Sequence, residues 1–137
     1  MNQESGSTVK AANSARVRIV IGPLVGPVLG RVVAMLAARA DCPVDRLDDA
    51  LLVVDALAAN AGAYVPDGRL SVDVLTGEGC LELLVGPLAD GGADGLMRDS
   101  TVPGVGNVLE HVADQVGVQR DSETGAPVLC IRIEFPA

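Results

Sequence analysis

The chain has 137 residues, a length that predicts one domain with room for an apolar core. It contains one Phe, one Tyr and no Trp, so it lacks the aromatic side chains on which single-stranded nucleic acids stack. Ten basic residues against eighteen acidic ones give a net charge of −8, which argues against a surface that follows a phosphate backbone. A basic protein partner, or a ligand carried with a metal ion, is more compatible with that charge.

The polar residues 1–14 predict a disordered tail, followed by a single domain at residues 15–137. The tail has no apolar segment of the kind found in a secretory signal, and no uncharged apolar run is long enough to predict a membrane span. The three cysteines form no close pair, which fits reduced thiols. We therefore expect a cytoplasmic protein.

The N-terminal half predicts one strand followed by two helices, at residues 16–21, 24–39 and 47–64. Asp41 is the expected N-cap of the second helix, with Pro43 in its first turn and Gly62 at its end. Asn60 falls on the last turn of this helix, where a half-buried amide needs hydrogen-bond partners or a ligand.

The C-terminal half predicts a strand hairpin, a short helix and two closing strands, at residues 69–75, 80–85, 93–98, 116–120 and 128–135. A further helix is expected between residues 104 and 116, opened by Gly104 and Gly106. Alternation along the two strands of the hairpin predicts a sheet with one face buried and one face more exposed to water. The expected fold is an α/β two-layer sandwich, with a mixed, mostly antiparallel sheet of about five strands and three or four helices on one face.

Three segments carry a resemblance to a known family. Residues 53–61 read VVDALAANA, and residues 103–116 read PGVGNVLEHVADQV. They resemble the N box (usually VVSELVTNA) and the second glycine box (GxGLxLxxxLADxV) of the anti-sigma-factor serine kinases, a branch of the histidine-kinase-type ATPase domains with the Bergerat fold. Residues 85–92 stand where the family's first glycine box, DxGxG, follows a strand. The resemblance covers residues 16–135.

The resemblance implies a site for ATP or ADP with Mg²⁺. Asn60 would hold the metal ion through its side-chain carbonyl oxygen, beside the nucleotide phosphates. Gly104 and Gly106 would bind phosphate through backbone N–H groups. Asp90 and Gly92 would serve the adenine end if the first glycine loop is rebuilt. Simpler interpretations stand beside these: Asn60 can bond to nearby backbone, and the glycines can mark tight turns.

The departures from the family pattern affect the positions that carry out catalysis and bind adenine. Ala56 stands in place of the N-box glutamate, which is the implied base for phosphoryl transfer, and Pro87 stands in place of the adenine-binding aspartate. Asp55 is the weak substitute for the base, but one step along a helix turns a side chain by about 100°. A shifted register makes Asp55 the acid and puts Ala59 at the asparagine position, so each register lacks one functional group.

We therefore expect a bacterial transcription regulator of the anti-sigma-factor kind, which binds a sigma factor or an anti-anti-sigma partner and whose kinase activity is absent or very weak. Its degraded nucleotide site leaves two outcomes open. Either the protein binds ATP or ADP with Mg²⁺, or it binds no ligand. The alternative is an active ATP-dependent serine/threonine kinase that phosphorylates an anti-anti-sigma partner, with Asp55 as base and Asn60 on Mg²⁺. A third possibility is a nucleotide-free structural domain. The resemblance implies a homodimer, and no direct nucleic-acid or membrane partner is expected.

Overall fold

The computed structural model describes residues 12–136, within which it has seven strands and four α-helices. The strands are β1 Asn13–Val20, β2 Arg69–Gly77, β3 Cys80–Val85, β4 Thr101–Val102, β5 Gly106–Asn107, β6 Gln115–Arg120 and β7 Pro127–Glu134. The helices are α1 Val25–Arg39, α2 Val44–Asn60, α3 Gly92–Asp99 and α4 Val108–Val112, and a 3₁₀ turn at Ala61–Ala63 follows α2. Residues 1–11 of the expected tail lie outside the described residues, and Asn13 and Ser14 belong to β1.

Five strands form one antiparallel sheet in the order β1-β2-β3-β7-β6, and β4 pairs with β5 in a separate hairpin. The alternation predicted from the sequence sets which face is buried. Leu70, Val72 and Val74 of β2 are almost fully buried, whereas Ser71 and Asp73 between them are only partly covered. The fold class predicted from the sequence, an α/β two-layer sandwich with helices on one face, is confirmed.

The core lies between that face of the sheet and the helices. Apolar residues of α1 and α2 form one cluster with alternate residues of the central strands, including Leu29, Leu57, Leu83 and Ile131. Because these side chains are aliphatic and fully buried, their removal from water supplies most of the stabilisation of the sandwich. Within residues 12–136, no helix combines the length and the apolar character needed to cross a membrane.

The start of α2 differs from the prediction. Asp41 does not cap this helix, because it belongs to the turn that ends α1. It has a left-handed backbone (φ 58°), and the Cys42 N–H donates to the Ala37 carbonyl oxygen at 3.0 Å. This is the hydrogen-bond pattern of a Schellman motif. Helix α2 begins at Val44 with Pro43 at its N-cap, and no side chain caps it.

The segment after α3 also differs. Gly104 and Gly106 were expected to open a helix, but they lie in the β4–β5 hairpin, and α4 begins only at Val108. The Asn107 side chain supplies the cap: its Oδ1 accepts from the Glu110 N–H at 3.1 Å, and its Nδ2 donates to the Met97 carbonyl oxygen at 2.9 Å. These bonds attach the hairpin to the end of α3.

Candidate functional site

The N-box residues occupy the last two turns of α2. Ala56 faces the core and is 2% exposed, whereas the neighbouring Asp55 faces solvent. As predicted, the turn of about 100° between adjacent helical residues points their side chains in different directions. The structure does not favour the shifted register either. Its asparagine position, Ala59, is an exposed residue beside Asp55. Neither register places an acid on the buried side of α2 at this point.

Asn60 lies half-buried at the end of α2. Its Nδ2 donates to the carbonyl oxygen of Ala56, four residues earlier, at 2.8 Å. The structure therefore gives Asn60 the local backbone bond that was its simpler interpretation. The carbonyl oxygen of the amide is the group that could hold Mg²⁺, and the same bond fixes its orientation.

Tyr64 lies one helical turn beyond Asn60 and fills the space between the end of α2 and α3. A Cβ built on Gly95 would lie 2.5 Å from Cε1 and 2.7 Å from Cζ of the Tyr64 ring, so the ring rests directly on the helix backbone. A Cβ on Gly92 would lie 3.2 Å from the Tyr64 Cβ. The phenol donates to the carboxylate of Asp99, and this bond raises the pKa of Tyr64.

The first glycine loop is held against the same tyrosine. The Ala89 N–H donates to the Tyr64 carbonyl oxygen at 2.8 Å, and Leu88 beside it is fully buried. Asp90 is exposed at the tip of the turn that leads into α3. Pro87 follows a cis peptide bond and faces a cavity on the other side of the sheet. The structure therefore brings Gly92 against Tyr64 but leaves Asp90, the expected adenine contact, exposed in solvent.

The second glycine pair has a structural role in its hairpin. Gly104 and Gly106 have φ values of 83° and 89°, a region that glycine enters without steric cost. A Cβ on Gly106 would lie 3.2 Å from Nε2 of His111, so this ring packs on the hairpin. The conformation expected of a tight turn thus accounts for both residues, and no helix N-terminus stands behind Gly104 to bind a phosphate.

These residues do not fit a nucleotide with Mg²⁺ as they are arranged. The Asn60 amide is bonded to its own helix, Tyr64 packs against Gly92 and Gly95 of α3, and the glycine pair belongs to a hairpin. Sequence reasoning missed Tyr64. Its signal was its position, since it is one of two aromatic residues in the chain and follows Asn60 by four residues.

No protein-family model matches the chain, and no curated protein matches it.

Proposed function

We propose that this protein is a cytoplasmic regulatory protein of the anti-sigma-factor kind, which acts by binding a protein partner and does not transfer phosphate. The resemblance of residues 53–61 and 103–116 supports the family. Ala56 on the buried side of α2, where the family carries the base, supports the loss of phosphoryl transfer, because a methyl group cannot accept a proton. The partner is a sigma factor or an anti-anti-sigma protein.

Phosphoryl transfer needs a positioned nucleotide, a metal ion and an oriented acceptor hydroxyl. Ala56 cannot take a proton, and Asp55 projects to solvent on another side of α2. The alternative, an active kinase, requires Asp55 to reach a phosphate group held near Asn60. Such a reach would require α2 to rotate about its axis, and this rotation would expose the buried side chains of Val53 and Leu57.

Calorimetric titration with ATP and Mg²⁺ tests the nucleotide part. We expect no binding heat up to millimolar ATP from protein shown to be folded. Incubation with radiolabelled ATP and a candidate partner should likewise give no labelled protein. Micromolar binding that disappears in Asn60→Ala, together with labelling that disappears in Asp55→Ala, would establish the kinase alternative instead.

Pairwise binding assays test the partner. Each sigma factor and anti-anti-sigma protein of the source organism is purified and titrated against this protein by biolayer interferometry. We expect one of them to bind with a micromolar or lower Kd and the others to bind much more weakly. If none of them binds folded protein, the proposed function is wrong, whatever the nucleotide result.

A further inference from the structure

The face of the sheet away from the helices is concave. Cys80, Glu82 and Leu84 of β3 point to this face and are only 4–6% exposed, although the helices pack on the other face. The loop after β6 contributes to this cover. Hydrogen bonding to Asp73, together with that residue's charge, raises the pKa of Arg16, and the charge of Asp121 adds to the effect. Arg16 of β1 lines one cavity together with Asp121 and Glu123 of this loop, although β1 and β6 are opposite edges of the sheet, so the loop lies over this face.

Two neighbouring cavities lie on this face, which we call the open-face trough. The larger is about 490 Å³, a size that suits a bound ligand, and the smaller is about 190 Å³. Gln119 lines both, so the two are adjacent. The floor of the larger cavity is apolar, at Leu84, Pro87 and Val128.

Charge is distributed unevenly between the open-face trough and the rest of the protein. Five of the ten basic residues line its two cavities, against five of the eighteen acidic residues. The basic ones are Arg16, Arg18, Arg69, Arg120 and Arg132. The trough is therefore neutral, and the remainder of the chain carries the whole net charge of −8.

Several polar groups in the trough can form further hydrogen bonds. The guanidinium of Arg69 forms no ion pair and no hydrogen bond with the residues that the structure describes, and that of Arg120 donates once, to the Gly125 carbonyl oxygen at 2.9 Å. The ion pairs of Arg16 with Asp73 and of Arg18 with Asp67 are exposed and can be exchanged for other carboxylates. Gln119 Oε1 is buried and accepts no hydrogen bond within residues 12–136.

We propose that the open-face trough binds an acidic peptide segment of a partner protein. Carboxylate side chains of the segment pair with the guanidinium groups of Arg69 and Arg120, the geometry by which arginine recognises acidic motifs. A backbone N–H of the segment donates to Gln119 Oε1, and an apolar side chain covers Leu84. A small anion offers no such N–H, and a basic segment is attracted instead to the acidic remainder of the surface. This inference stands independently of the function proposed above.

Selection from a random peptide library provides the test. A phage-displayed dodecapeptide library is selected on the full chain, and the recovered peptides are synthesised with a fluorescent label. Fluorescence polarisation then gives the Kd for wild type, Arg69→Glu, Gln119→Leu and Arg31→Glu. The last variant is the matched control, because Arg31 is exposed on α1 on the other side of the sheet. Circular dichroism and thermal melts verify that each variant is folded.

We expect recovered peptides rich in Asp and Glu, with a Kd that rises about tenfold or more in Arg69→Glu and stays unchanged in Arg31→Glu. Gln119→Leu should also weaken binding, and raised salt should weaken it further. Recovery of no peptide, of peptides without acidic enrichment, or of peptides that bind Arg69→Glu equally well would overturn the proposal. Complete competition by millimolar glutarate or inorganic phosphate would show a small-anion site instead.

Discussion

Tyr64 and Gly95 form a contact whose energetics can be separated by a double-mutant cycle. In wild type, Gly95→Ala would place a methyl group 2.5 Å from the Tyr64 ring, so the ring must turn away from α3, and we expect a loss of about 1 kcal/mol of unfolding free energy. In a Tyr64→Ala background the ring is gone, and the same substitution should stabilise α3 by about 0.5–1 kcal/mol through helix propensity. Urea unfolding of the four proteins measures both values. Equal effects in the two backgrounds would show that the ring does not rest on Gly95.

Cys130 lies on β7 at the smaller cavity of the open-face trough. Its thiol should lose its proton only at high pH. Burial raises the pKa of its thiol to about 11, and the charge of Glu82 adds to the effect. A folded-state pKa above the unfolded value of 9.0 favours the neutral thiol, so the resulting stability is fully present below pH 9 and is lost as pH rises through 11. We expect the wild-type protein to lose more stability over this interval than Cys130→Ala does. Iodoacetamide labelling should likewise be slow at pH 8 in folded protein and fast in urea.

Arg46 joins the first turn of α2 to the C-terminal strands. Its guanidinium donates to Asp49 at 2.6 Å, to Asp114 at 2.8 Å and to the Glu134 carbonyl oxygen at 2.9 Å. Because these are charge-assisted bonds on a side chain that is 22% exposed, Arg46→Ala should cost about 2 kcal/mol of unfolding free energy. Arg31→Ala, at an exposed position on α1, is the control and should change stability by less than about 0.5 kcal/mol. Equal melting of the two variants would contradict this role for Arg46.

The long elements were predictable because their signals are local and repeated. Alternation in β2 and β7 and helical spacing in α1 and α2 each extend over two or more turns or pleats. The short elements were not predictable, because single contacts determine where they begin and end. Asn107 followed by Glu110 is a capping pattern that marks the true start of α4, but the paired glycines before it suggested an earlier one. Arg46 has partners 68 and 88 residues away, which no local pattern reveals.

In the candidate site, too, some placements follow from the local sequence and others depend on contacts between distant segments. The positions of Asn60 at the end of α2 and of Asp55 outside its buried face follow from helical geometry alone. The placement of Tyr64 depends on how closely α3 approaches, and Gly92 and Gly95 permit that approach. A sequence shows these glycines but not the neighbour that they accommodate. The cavities of the second face were missed for the same reason, since residues of β1 and of the loop after β6 line the larger one together.

At the scale of the whole molecule, the net charge of −8 opposes the compact state. We expect the melting temperature to rise when NaCl is increased from about 0.01 M to 0.2 M, because screening weakens repulsion over a Debye length that shortens from about 30 Å to below 10 Å. Differential scanning calorimetry at fixed pH measures the shift. Its control is the same series with sucrose at equal osmolality. A melting temperature that falls with NaCl would mean that the exposed ion pairs outweigh the repulsion.

The position of β7 in the sheet has a consequence for synthesis of the chain. This strand is the last in sequence, yet it lies between β3 and β6 and supplies Leu129, Ile131 and Ile133 to the core. Until residues 127–134 have left the ribosome, β3 has one unpaired edge and β6 has no neighbour. The five-stranded sheet can therefore be completed only after β7 has emerged. A stalled or shortened chain would expose a template for pairing with another copy.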